Sequence, residues 1–409
     1  MAFDPEEMNR RRQARKLARS QRQAKRRRTF IKLCIAAAVL AVCLVLIFVL
    51  TKKKAPEPST EQQAQETTVI HLAAAGDLNI NDTTVGAGGA SYDYSKTFLD
   101  VAHLFAGADA AFLNFEGNLM GTPYGSKNAF APQTMMQALK SAGVDMLQLA
   151  NSYAIYNGTS GLANTIRGVS DAGMVPLGVY ATNADFRTEK GFILRDIHGV
   201  RVAFTAFTKG MDGLALPPGS ENCVNILYTD YASTYQEVDT ERITQVLTAI
   251  EKEKPDITIA LLHWGSEFND TISKSQQEIC TLMQENGVDA IIGTHSHYVQ
   301  KIEHDPESGR FVAYSLGDFF SDAKRAGTEY SIILDLEITK NNRTGATKIT
   351  SFSYTPIFTV AEENKPMRVV RIHEAIAAYE NNYIDRVSPQ TYEAMKYALS
   401  RIDARISGK

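Results

Sequence analysis

From Val69 onward, short apolar runs alternate with longer amphipathic stretches, and this alternation limits the fold more than any other feature of the chain. The runs cover residues 69–75, 110–115, 146–150, 200–207, 257–262, 290–292, 311–316 and 331–338. Helical periodicity fills the gaps, over 133–142, 161–172, Thr240–Glu253 and 274–286. Strands that alternate with helices predict an α/β sheet with helices on its faces. Three of the amphipathic stretches close on glycine, at Gly143, Gly173 and Gly287. Glycine there ends a helix at little steric cost and leads into the next strand. Residues 330–360 predict paired strands, with the turn supplied by N-N-R-T-G from Asn341 to Gly345. The stretch from Met367 reads as two helices, the second opening with Ser388 as N-cap and Pro389 in its first turn. Hydrophobic residues make up 44% of the chain, enough to fill such a core and to exclude global disorder.

The N-terminal part follows different rules. Residues 1–32 carry twelve Lys or Arg against three acids, while the remainder of the chain is net acidic. Residues 33–50 are apolar without a single charge. As a helix that run would be roughly 27 Å long, close to the thickness of a bilayer core. A cleaved signal peptide would have a shorter apolar region ending in small residues; this run instead meets Thr51 and three lysines. We therefore expect an uncleaved single-pass anchor. The basic excess ahead of it puts the N-terminus in the cytoplasm and the body outside the cell. No nucleic-acid-binding motif accompanies the arm, so no nucleic-acid partner is expected. Residues 51–68 are polar with two prolines and read as a flexible stalk. The expected organisation is thus arm 1–32, anchor 33–50, stalk 51–68, α/β domain 69–360 and helical extension 361–409. Cys34 and Cys43 fall in the apolar run; Cys223 and Cys280 read as packed residues, without any C-x-x-C.

Strand after strand ends in a residue of metal-binding type. L-A-A-A-G-D ends in Asp77, F-L-N-F-E in Glu116, L-Q-L-A-N in Asn151 and A-L-L-H in His263. I-I-G-T-H-S-H supplies His295 and His297, and Y-S-L-G-D supplies Asp318 as a further carboxylate. In α/β sheets the ligand crevice lies outside the carboxyl ends of the strands, so these residues should converge. A mixed set of carboxylate, amide and imidazole suits Mn, Fe or Zn better than a thiolate site or an oxygen-only calcium cage. His295 and His297 would point the same way if their segment is extended.

These segments resemble the CapA/PgsA family, whose members take part in poly-γ-glutamate capsule synthesis. The marks are A-A-G-D at Asp77, L-N-F-E-G-N-L from Leu113, L-H-W-G-S-E-F from Leu262, G-T-H-S-H-Y-V-Q from Gly293 and Y-S-L-G-D-F from Tyr314. The resemblance implies a four-layer α-β-β-α sandwich of the calcineurin-like metallophosphoesterase type, with a dinuclear-type site at one end of its sheets. It makes Asp77, Glu116, Asn151, His263, His295 and His297 the metal ligands. The sequence departs from the family pattern where A-N-N-H and D-Y-G are usual: Tyr153 stands in place of the histidine, and Tyr156 in place of the aspartate. Tyrosine at the catalytic position is a poor proton shuttle near neutrality, since its ordinary pKa is about 10. Two functions follow as expectations: a membrane-anchored component that makes, exports or anchors poly-γ-glutamate beside membrane synthesis subunits, and a metal-dependent hydrolase of an envelope substrate.

Overall fold

The computed structural model describes residues 66–363, 365–384 and 387–408. The basic arm, the apolar run 33–50 and the stalk up to residue 65 lie outside the described residues. Among the described residues, no helix is long and apolar enough to cross a membrane.

Two mixed sheets form the body. The centre of the first is β1 (Thr67–Asn79), which pairs in parallel with β2 (Ala110–Glu116), followed outward by β3 (Met146–Gln148) and β4 (Val175–Leu177). Every residue of β2 is buried, as befits a parallel strand covered on both faces. The second sheet runs β5 (Ile193–Ile197), β6 (Val200–Thr208), β7 (Ile257–His263), β8 (Ala290–Thr294), β10 (Phe311–Ala313) and β9 (Ile302–His304). The first sheet is completed by β11 (Asp318–Phe320), lying parallel against β1, and by the antiparallel β12 (Tyr330–Asn341), β13 (Thr347–Val360) and β14 (Arg368–Arg371). The hairpin predicted for 330–360 is β12–β13. Two details differ from expectation. Thr67 and Thr68, read as stalk, already pair with Asn341 and Lys340. The stretch from Met367 opens with β14 before its two helices, because Val369 and Val370 bury against the edge of β13.

The helices are α1 (Asp82–Gly86), α2 (Ala102–Ala106), α3 (Gln133–Ser141), α4 (Gly158–Asp171), α5 (Asn183–Glu189), α6 (Thr240–Glu253), α7 (Lys274–Glu285), α8 (Ile372–Glu380) and α9 (Pro389–Ile406). The three predicted glycine stops carry positive φ: 102° at Gly143, 79° at Gly173 and 87° at Gly287. Ser388 caps α9 by accepting from the Thr391 N–H.

Alternation along β6 assigns the layers. Val202, Phe204 and Ala206 join the apolar cluster that includes Leu72, Phe112 and Leu113 of the first sheet, where the Phe112 and Phe204 rings lie 6.0 Å apart. Ala203 and Phe207 point the other way, into a second cluster with Ile243, Val246 and Ile250 of α6 and Ile279 and Met283 of α7. The sheets therefore face each other, and α6 and α7 cover the far side of the second. Cys223 and Cys280 are free and buried, one in each cluster. At the other edge, α8 and α9 pack on the β12–β14 hairpins.

Candidate metal centre

The site is built at the carboxyl ends of β1, β2, β7 and β8. Its first requirement is close backbone approach. Asp77 donates its N–H to the Gly317 carbonyl at 3.0 Å, and a Cβ at Gly76 would sit 1.7 Å from that same oxygen. Only glycine fits there. Parallel pairing then sets Asp77 opposite Asp318. The two G-D dipeptides, far apart in sequence, thereby place two carboxylates side by side.

The predicted residues assemble into two triads. Asp77, His297 and Asp318 form one; Glu116, His263 and His295 form the other, and within each triad one ligand atom per residue lies within 4.8 Å of the others. In the first, His297 Nδ1 is 2.7 Å from Asp318 Oδ1 and 3.8 Å from Asp77 Oδ2. In the second, His263 Nε2 is 3.4 Å from Glu116 Oε1, and the His263 and His295 ring centroids are 4.4 Å apart. All six are buried. Asn151, expected among the ligands, is buried beside the cluster and hydrogen-bonds within it. Its amide donates to Asn114 Oδ1 at 3.0 Å and to the Phe115 carbonyl at 2.7 Å, while its Oδ1 accepts from the Tyr153 N–H.

One expectation needs correction. His295 and His297 do not lie on an extended segment: β8 ends at Thr294, and the two histidines have φ of 89° and 59°. This left-handed path, unfavourable for a side-chain-bearing residue, sends the imidazoles to different triads. The His295 N–H bonds Asp77 Oδ2 at 3.0 Å, which helps hold the turn.

Sequence reasoning missed Asn114. Its amide stands between the triads, donating to Asp77 Oδ1 at 2.7 Å and lying 3.3 Å from both Glu116 Oε1 and His263 Nδ1. The signal was present, since residues 114 and 116 of one strand share a face. Lys209 was missed too. It follows β6 directly, donates its N–H to the His263 carbonyl at 2.7 Å and its Nζ to the Gly265 carbonyl at 2.8 Å. Of the other histidines, His71 pairs with Asp335, His198 with Asp109 and His304 with the Ile349 carbonyl, away from the triads.

Carboxylates and imidazoles are crowded together in a buried space, and each shifts the others. Burial above all lifts the Asp77 carboxyl to about 6; the His297 charge pulls against this and Asp318 adds to it. Burial, then the Asp77 charge, pushes Glu116 well up. Burial, reinforced by neighbouring cations including Lys209, keeps His263 and His295 well below the ordinary imidazole value, so both are neutral and free to ligate. Burial opposes charge on His297 as well, but Asp318, Glu116 and Asp77 outweigh it and raise the imidazole well up. A divalent cation fits this donor set. His295 Nδ1 is buried with no hydrogen-bond partner, an orphan that a metal would satisfy.

Tyr153 is half-buried, and its ring packs 5.5 Å from that of the exposed Tyr156. Burial, then the charges of Glu116 and Glu267, push its phenol well above the ordinary value. It therefore keeps its proton near neutrality.

Residues 71–323, which include all seven triad and Asn151 positions, match the family model described as bacterial capsule synthesis protein PGA_cap. The chain is similar to the capsule biosynthesis protein CapA of Bacillus anthracis, at 26% identity over 215 residues, covering 52% of this chain and 48% of that protein. It is similar to the PGA biosynthesis protein CapA of Bacillus subtilis, at 26% over 219 residues, covering 53% and 52%. It thus spans about half the length of the curated relatives it matches. Among solved structures it resembles the calcineurin-like phosphoesterase YfkN from Bacillus subtilis, with 14% identity, 82% of this chain and 97% of that chain covered, and a TM-score of 0.42. A putative 5'-nucleotidase from Staphylococcus aureus aligns at 13% identity over 81% of this chain and 58% of that one, with a TM-score of 0.44.

Proposed function

The chain belongs to the family of bacterial capsule synthesis proteins described as PGA_cap, and from that premise we propose that it is a membrane-anchored, extracellular component of poly-γ-glutamate synthesis, export or anchoring, carrying a two-metal site in a calcineurin-like sandwich. The family match supports the capsule role. The basic arm ahead of the apolar run 33–50 supports the anchor, with the N-terminus cytoplasmic and the α/β body outside. In this reading Asp77, His297 and Asp318 hold one cation and Glu116, His263 and His295 the other, while Asn114 and Asn151 brace the two. One observation carries the metal assignment: two buried three-residue donor sets meet at one sheet end, with His295 Nδ1 left without a partner. Metal analysis of purified full-length protein tests it. We expect Mn, Fe or Zn near two equivalents; folded protein with none after incubation with each metal refutes it. Deleting the gene and finding the surface polymer unchanged would refute the capsule role. A protease that fails to reach the body in intact cells would refute its external placement.

The donor sets also favour a second reading, a metal-dependent phosphoesterase or other hydrolase acting on an envelope substrate. Bound divalent cations would supply Lewis-acid polarisation and a water of low pKa. The chain's own part is to exclude solvent around the triads and to offer the Tyr153 hydroxyl as a donor. Since Tyr153 holds its proton, turnover of a phosphodiester should be slow even with metal added. Hydrolysis of bis-p-nitrophenyl phosphate with and without Mn²⁺ separates the readings, and no metal-stimulated turnover counts against a hydrolase.

A further inference from the structure

We propose that the C-terminal helix α9 is a positioning element of the metal centre, acting through Arg405. This takes its functional meaning from the two-metal reading above, but its geometry stands apart from it. The Arg405 side chain is only 10% exposed. Its guanidinium carbon lies 4.4 Å from the Tyr298 ring centroid and 5.7 Å from that of Tyr330, and its Nε is 3.5 Å from Asp270 Oδ2. Two of those contacts, Tyr298 and Asp270, fall on the segments that carry and cover His297, while Tyr330 opens β12. Tyr298 follows His297 in the chain, and its hydroxyl donates to the Ala326 carbonyl at 3.1 Å. Asp270 closes the loop that holds Phe268, whose ring stacks on the His297 imidazole at 4.9 Å and 21°. Phe268 is tied back by its N–H to the Ser296 carbonyl at 2.8 Å, and Arg325 lies 3.9 Å over its outer face. One largely covered cation thus touches the flank of the ligand and the base of its cover.

Docking alone does not account for this choice. Met395, Ala398 and Ile402 already bury the inner face of α9, and Tyr354 donates to Asp403 at 3.1 Å. A buried guanidinium is an expensive way to add stability, and Nε and Nη1 of Arg405 make no hydrogen bond. Holding His297, with its left-handed backbone, is a task for which fixed charge and stacking are suited. The helix lies beyond the family match, which ends at residue 323.

The test compares full-length wild type with Arg405→Met, Arg405→Lys and Tyr354→Phe. Hydrogen exchange in the metal-free proteins should speed up at residues 266–270 and 296–298 in Arg405→Met, while Arg405→Lys recovers part of the protection. Tyr354→Phe, which weakens the docking of α9 away from the site, should leave both segments unchanged. Calorimetric Mn²⁺ titration should show one of the two affinities weakened roughly tenfold or more in Arg405→Met. Unchanged exchange in Arg405→Met, or equal loosening in Tyr354→Phe, overturns the proposal. A wild type that binds no metal overturns the metal reading, and the exchange comparison then decides the positioning role by itself.

Discussion

Replacing Gly76 with alanine probes the contact on which the centre is built. The new Cβ would lie 1.7 Å from the Gly317 carbonyl oxygen, a backbone atom that cannot rotate away. Unbonded carbon and oxygen keep about 3 Å or more apart, so β1 and β11 would have to part by more than about 1 Å. The central strand has little room to move, because β1 is paired with β12 on one side and β2 on the other. Overpacking of this kind costs about 1–3 kcal/mol. Loss of the bond from the Asp77 N–H to the Gly317 carbonyl adds about 1 kcal/mol. A total of about 2–4 kcal/mol is a large part of the roughly 5–15 kcal/mol that holds a typical protein folded. For a body of this size the melting temperature should fall by about 3–6 °C. Separating Asp77 from Asp318 should also weaken metal at that triad before the fold is lost. Differential scanning calorimetry and Mn²⁺ titration measure both effects. Gly86→Ala is the control, since a Cβ there meets nothing within 4 Å. If Gly76→Ala melts with the wild type and binds metal equally, the close-approach argument is wrong.

Further outcomes follow from the same geometry. His295→Ala and His297→Ala should each lower the bound metal from two equivalents towards one, because the two imidazoles serve different triads; elemental analysis of the variants checks this. Tyr153→His should raise phosphodiester turnover with Mn²⁺ by about 100-fold or more at neutral pH, whereas Tyr153→Phe, which removes the donor hydroxyl, should lower it below wild type in the same assay. Glu362 provides a pH test away from the site. Burial works to raise its carboxyl, but Lys365, the Ser388 N–H and the Thr391 hydroxyl hold it down at about 2. Its stabilising effect is therefore complete above the ordinary carboxyl value of about 4.3 and is lost as pH falls from there through about 2. Glu362→Gln should cost about 1–3 kcal/mol at pH 7 and flatten the acid limb, as read by urea unfolding between pH 7 and pH 2.

Features set by near neighbours were legible in the chain. The amphipathic period placed α6 residue for residue at Thr240–Glu253, and Ser388-Pro389 marked the start of α9. The glycines closing α3, α4 and α7 were readable because only the backbone conformation at one position was at stake. Asp77, Glu116, His263, His295, His297 and Asp318 could be picked out because each ends an apolar run, and strand ends on an α/β sheet converge. What the chain did not disclose depends on contacts between distant segments. Alternation predicted one sheet as readily as two, and the face each β6 residue presents was decided by which partner layer it met. Asp318 became a full member of a triad only because Gly76 and Gly317 let β11 lie against β1. The division of His295 from His297 came from a left-handed turn that no periodicity encodes. The reach of Arg405 to Tyr298 and Asp270 exists only once α9 has docked. Local sequence determined which side chains could ligate; tertiary packing, through close backbone approach and buried charge, decided which of them stand together.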